Sequence, residues 1–214
     1  MSKTVIDKIK EGRQYRDFAS PKFEIRQDDE DGAMIVEGYA TTFDEPYVLF
    51  DFDGGSFIEQ VDSRAFDDCD MSDVIMQYNH EGRVFARSTN GTLEVLPDDH
   101  GLRIRAHLEG TELGRQLWTE IKGGYTDKMS FGFTVDEDTY EEREKEDGTV
   151  DFFRTINRIG KLYDVSAVSI PANNATNISA RNLCDGLIAE YKQERLERKK
   201  QKIRIMLEVD KYGN

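Results

Sequence analysis

Between Val74 and Leu108 the chain reads Val74-Ile75-Met76-Gln77-Tyr78, then Arg83–Ser88, then Thr92-Leu93-Glu94-Val95-Leu96, then Leu102–Leu108. Each run is short and carries β-branched, aromatic or alternating apolar residues between turn formers, which is the pattern of strands. Asn90-Gly91, between the second and third runs, is a hairpin signal of the primed type, and Asp98–Gly101 turns the third run into the fourth. Strands at such spacing predict an antiparallel sheet or small barrel.

The same pattern continues on both sides. Upstream, Lys22–Gln27, Ala33–Phe43 and Phe57–Val61 read as strands, with a loop over Asp44–Gly55 and a short helix starting at Ser63–Asp67. Residues 1–22 are polar and mixed and end at Ser20-Pro21, the composition of a mobile arm. Downstream, Leu113, Leu117, Trp118 and Ile121 recur at helical spacing; Thr111 caps that helix and Gly123-Gly124 stops it. Lys128–Val135 is a further strand. Asp136–Asp147 is a charged run that reads as a solvated hairpin tip or loop. Val150–Ile159 and Lys161–Ile170 follow as strands, ending at Pro171-Ala172-Asn173-Asn174. Beyond Leu183, the spacing of Leu187, Tyr191 and Leu196 within a charged segment predicts a long amphipathic helix, either packed on its own domain or docking a partner. The expected organisation is an arm over 1–22, a mainly β domain over 23–180 and a helical extension over 181–214.

Of 214 residues, 37% are apolar and 34% charged, which suits a globular core with charged extensions and excludes a wholly disordered chain. The net charge of -14 repels a phosphate backbone and argues against nucleic-acid binding. Cys69 and Cys184 lie far apart and in no metal-spacing motif, so a reducing compartment and no disulfide are expected. No run reaches transmembrane length, and no CxxC, HExxH, P-loop or GxGxxG is present, so neither a membrane role nor a metal or nucleotide cofactor is expected.

One constellation carries chemistry. Lys128-Met129-Ser130-Phe131-Gly132-Phe133 sets a hydroxyl in the middle of a half-buried strand, and His80 follows the apolar run Val74–Tyr78 where strand gives way to loop. A strand serine on its own ordinarily just bonds a neighbouring carbonyl. As a nucleophile it needs a base, which His80 supplies, and the imidazole then needs an acceptor on its second nitrogen. Asp164, in Lys161-Leu162-Tyr163-Asp164-Val165-Ser166-Ala167-Val168, is the candidate, since a carboxylate amid so apolar a run is costly unless paired. The alternative is an Asp164 that faces solvent or pairs with Lys161 or Arg158. His100, in a turn, and His107, among charged neighbours, are the weaker bases.

These residues stand within a longer series. Glu37-Gly38-Tyr39-Ala40-Thr41-Thr42-Phe43, Ser63-Arg64-Ala65-Phe66, Tyr78-Asn79-His80-Glu81, Thr89–Leu93, Asp99–Leu102, Met129–Phe133, Leu162–Val168 and Pro171-Ala172-Asn173 occur in the order of the motifs of tailed-phage prohead serine proteases. Over residues 23–180 the chain resembles that capsid-maturation family, which is related to the herpesvirus assemblins. The resemblance implies an assemblin-like antiparallel β-barrel with surrounding helices. It implies Ser130 as nucleophile, His80 as base and Asp164 as third member, where many relatives carry the longer Glu. The family's oxyanion stabilisers map onto no motif of this chain; the candidates are a backbone N–H beside Ser130 and an arginine such as Arg181. Implied, too, are peptide hydrolysis without a cofactor and self-trimming, with the extension as a removable tail. The implied substrates are the scaffolding protein or the scaffolding segment of the major capsid protein, inside proheads in the host cytoplasm. A homodimer is expected by analogy with assemblins. A non-catalytic assembly protein of the same fold and an unrelated acidic β-barrel binding module are the competing readings.

Overall fold

The computed structural model describes residues 12–18, 23–27, 32–52, 54–169 and scattered positions between 186 and 205. In chain order the strands are β1 (Gln14–Phe18), β2 (Glu24–Gln27), β3 (Met34–Thr42), β4 (Tyr47–Phe52), β5 (Gly55–Val61), β6 (Ile75–Tyr78), β7 (Glu81–Arg87), β8 (Leu93–Pro97), β9 (Gly101–His107), β10 (Lys128–Glu144) and β11 (Val150–Val168). One helix, α1 (Glu112–Lys122), separates β9 from β10. The Thr111 side chain accepts from the Gly114 N–H at its start, as a capping residue should. Its buried face is Gly114, Leu117, Trp118 and Ile121, while Leu113 is exposed.

Seven strands form one sheet in the order β1-β10-β11-β5-β4, with β6 and β7 extending it beside the C-terminal half of β11. Four form a second, β2-β3-β9-β8. The apolar faces of both sheets and of α1 share one core, built from Val36, Ala40, Leu102, Ile104, Phe131, Phe133, Leu162, Val165 and their neighbours. Each strand alternates its faces, so β10 sends Met129, Phe131 and Phe133 into this core and leaves Ser130 and Gly132 on the opposite face.

The mainly β architecture agrees with the sequence. No closed barrel is formed among the described residues, and the pairings are not all antiparallel. Strand β11 pairs in parallel with β5 over Phe152–Ile156 and with β6 over Asp164–Ala167. Such long-range pairings leave no mark on local periodicity. Asn90-Gly91 does not close a hairpin: a 3₁₀ turn over Ser88–Asn90, with Gly91 at φ 75°, carries the chain from β7 in one sheet to β8 in the other. Residues 63–68 form turns and not a helix, and Tyr47–Phe52 is a strand inside the expected loop. The charged run is strand β10 up to Glu144, and the two expected strands after it are the single strand β11.

The folded body also starts earlier than residue 23. Residues 14–18, placed by composition in a mobile arm, pair antiparallel with the start of β10, from Gln14 opposite Phe133 to Phe18 opposite Met129. The reason is a buried charge cluster. Glu59 of β5 accepts from Arg16 Nε at 2.5 Å, from Arg154 Nη1 at 2.8 Å and from the Tyr47 hydroxyl at 2.5 Å. Arg154 also donates to Asp138 at 2.9 Å, and the Gln14 side-chain carbonyl accepts from both arginines at 3.0 Å. Burial pushes the Glu59 carboxyl up, but Arg16 and Arg154 outweigh it and hold the group at about 2. In the extension, those residues between 186 and 205 that are described are helical, with Leu196, Ile203 and Ile205 exposed.

Candidate active site

Three neighbouring strands bring the candidate residues together. Ser130 on β10 lies opposite Ser166 on β11, and Gly132 lies opposite Asp164. The register then slips: Phe133 pairs with Leu162, leaving Tyr163 as an extra residue in β11. That bulge has a consequence for facing. Paired residues share a face, so Leu162 turns to the core with Phe133, while Asp164, only two residues on, turns to the Ser130 face. Without the bulge, Asp164 and Leu162 would point the same way.

His80 arrives from the other side of β11. Tyr78 pairs with Glu81, which leaves Asn79 and His80 as the two central residues of the β6–β7 loop. Both have positive φ, 51° and 60°, the signature of a tight primed hairpin turn. Asn tolerates this left-handed region well; histidine occupies it less often. The Asn79 N–H donates to the Ala167 carbonyl at 3.0 Å, tying the turn to β11. The turn projects the imidazole over the sheet.

His80 Nε2 lies 2.5 Å from Ser130 Oγ, and His80 Nδ1 lies 2.5 Å from Asp164 Oδ1. Ser130 and Asp164 are fully buried, and the His80 side chain is 9% exposed. An ionised carboxylate only accepts, so Nδ1 must carry the proton and donate to Asp164. Nε2 is then the acceptor for the Ser130 hydroxyl, the tautomer that lets the serine proton leave along its own hydrogen bond. The shorter Asp reaches the ring without the extra methylene of Glu.

The surroundings hold this line in place. Ser166 Oγ donates to Asp164 Oδ1 at 2.9 Å. The Tyr15 ring of β1 packs on the His80 ring at 4.4 Å between centroids. Arg13 Nη1 stands 3.7 Å from Asp164 Oδ2, with its guanidinium 3.8 Å over the Tyr163 ring. Asp164 is not solvated, and neither alternative partner reaches it: Lys161 pairs with Asp70 at 2.6 Å, and Arg158 lies beside Asp136 and Glu137.

The other candidates lie elsewhere. His100 sits in the β8–β9 turn edge-on to Tyr39, and His107 lies 3.4 Å from Glu109. Burial pushes the Cys69 thiol up to about 12, which removes it as a thiolate nucleophile at neutral pH. Among the described residues no group of three His, Cys, Asp or Glu is placed to hold a metal ion, and no helix is long and apolar enough to cross a membrane. Of the two oxyanion candidates, the backbone beside Ser130 belongs to a strand paired on both sides, and Arg181 lies outside the described residues. Sequence reasoning missed Tyr15 and Arg13 because β1 buries Gln14 and Arg16, and so shows no hydrophobic alternation.

The family model of the caudovirus prohead serine proteases matches residues 21–188, a span that contains His80, Ser130 and Asp164. Among solved structures, the bacteriophage T4 capsid assembly protease is similar to this chain at 12% identity and a TM-score of 0.38, over 73% of this chain and 96% of that one. No curated protein matches the chain.

Proposed function

Because the chain belongs to the caudovirus prohead serine protease family, we propose that it cleaves peptide bonds through an acyl-enzyme with Ser130 as nucleophile, His80 as general base and acid, and Asp164 as the group that orients His80. In this reading Ser130 Oγ attacks the scissile carbonyl carbon while its proton passes to Nε2. His80 returns that proton to the leaving amine as the C–N bond breaks, and the acyl group stays on Oγ as an ester. Water then attacks the ester, with His80 taking its proton, and frees Ser130. Asp164 remains ionised throughout and stabilises the imidazolium that forms.

The observation that supports this most is the continuous buried line from Oγ to Nε2 and from Nδ1 to Oδ1, each step 2.5 Å. Serine–carbonyl or aspartate–lysine pairings, the ordinary fates of such residues, do not occur in its place among the described residues.

The substrates assigned are the scaffolding protein, or the scaffolding segment of the major capsid protein, inside the assembling prohead in the host cytoplasm. The chain itself is a further substrate, with residues 181–214 as a removable tail, and it acts as a homodimer. Co-expression with the capsid and scaffolding proteins tests the assignment. Wild type should give truncated scaffold and a shortened protease by intact mass, and Ser130→Ala should give neither. Cleavage that persists in Ser130→Ala overturns the nucleophile. Absence of cleavage in both, with proheads assembled, favours the non-catalytic assembly protein.

A further inference from the structure

The proposed mechanism gives Ser166 no part, yet it is the second side chain on the same carboxylate oxygen. Its Oγ donates to Asp164 Oδ1 at 2.9 Å, and that oxygen also faces His80 Nδ1 at 2.5 Å. Ser166 is fully buried and lies directly across the ladder from Ser130. The other carboxylate oxygen, Oδ2, is buried and has no hydrogen-bond partner among the described residues; its nearest cation, Arg13, stays at 3.7 Å. Left to itself, such a carboxylate would turn to share its acceptor capacity between both oxygens. Two donors converging on Oδ1 pin the rotamer about the Cβ–Cγ bond.

We propose that Ser166 is a positioning residue for the proteolytic reaction: it fixes the plane of the Asp164 carboxylate so that the oxygen it shares with His80 stays in line with the Nδ1–H. Its hydroxyl bonds the Asp164 carboxylate, not Ser130 Oγ or the His80 ring. The effect is transmitted through one hydrogen bond to the imidazole, whose orientation sets the Nε2–Oγ contact, and misplacement by a fraction of an ångström there is enough to slow the reaction. Its sequence signal is local. Ser166 and Asp164 are two apart on one strand and therefore on one face, next to the bulge that brings that face to Ser130.

This inference rests on the Ser130–His80–Asp164 reading, and its test separates the two. Ser166→Ala, Ser166→Thr and Ser130→Ala are compared with wild type for cleavage of a scaffold-derived peptide, for thermal midpoint and for the downfield proton signal of the His80 Nδ1–H. Ser166→Ala should lower kcat about tenfold, the order expected for one charged hydrogen bond, with KM within about twofold and the Nδ1–H signal shifted upfield or lost to exchange. Ser166→Thr keeps the hydroxyl and should retain the signal and kcat within about threefold. If Ser166→Ala keeps kcat, whatever the signal does, or loses kcat only in step with its thermal midpoint while the signal stands, the positioning role is wrong. If Ser130→Ala still cleaves, the catalytic reading itself has failed instead.

Discussion

Gly132 faces Asp164 across the β10–β11 pair with no room for a side chain: a β-carbon there falls against Asp164 Oδ2 and comes within 2.9 Å of Tyr15 Cε1. The bare glycine is thus part of the cavity that receives the carboxylate. Gly132→Ala should push Asp164 and Tyr15 away from His80. We expect kcat to fall by on the order of 100-fold, with a stability loss of about 1–3 kcal/mol from overpacking. Steady-state cleavage kinetics and urea unfolding check the two parts separately.

Asp164→Asn keeps the shape of the carboxylate and changes its chemistry. An amide N–H directed at Nδ1 forces the opposite tautomer, in which Nε2 carries the proton and cannot accept from Ser130. The expected result is a drop of roughly 10⁴-fold in kcat with an intact fold. Circular dichroism beside the cleavage rate measures both.

The β6–β7 turn makes its own demand. Asn79 stands at φ 51° beside His80 at φ 60°. Asn79→Gly should leave unfolding stability within about 0.5 kcal/mol, whereas Asn79→Val, β-branched in the left-handed region, should cost about 1–2 kcal/mol or more. The cleavage rate of Asn79→Val should fall further than its stability predicts, because the turn aims the imidazole. Denaturant titration with parallel activity assays shows whether the losses differ.

Acid sensitivity should come from the charge cluster that anchors β1. The Glu59 carboxyl is held at about 2, below its ordinary 4.5. A carboxyl with a depressed folded value stabilises above its unfolded value and loses that contribution as pH falls. Stability should therefore decline from about pH 4.5 toward pH 2, by on the order of 3 kcal/mol for this group. Glu59→Gln should flatten that limb and lower stability at neutral pH, because Arg16 loses its buried carboxylate and Arg154 keeps only the carboxylate of Asp138. Chemical denaturation across that pH range gives the slope.

How much of this was legible in the chain depends on the range of the interaction that decides it. The strands β3 and β9, the Lys128–Val135 part of β10 and helix α1 follow local periodicity, and Thr111 caps its helix as its position predicts. The parallel pairings of β11 and the switch between sheets at Asn90-Gly91 rest on contacts distant in sequence, and local signals there point to a simple hairpin. Strand β1 was hidden because its inward residues, Gln14 and Arg16, are polar and bond to each other and, across the sheet, to Glu59 and Arg154. His80, Ser130 and Asp164 stand out by residue type and motif order. What puts Asp164 on the face of Ser130 is the bulge at Tyr163, which alternation alone cannot foresee.

Ser130, if it is an activated nucleophile with His80 as its base, should react with a serine-directed phosphorylating reagent only while His80 is present. The most direct measurement is covalent labelling with diisopropyl fluorophosphate, followed by peptide mass mapping of wild type, His80→Ala and Ser130→Ala. A single adduct on Ser130 in wild type, absent from both variants at equal exposure, is the predicted result. An adduct elsewhere in the chain, or labelling of Ser130 at an undiminished rate in His80→Ala, would contradict it.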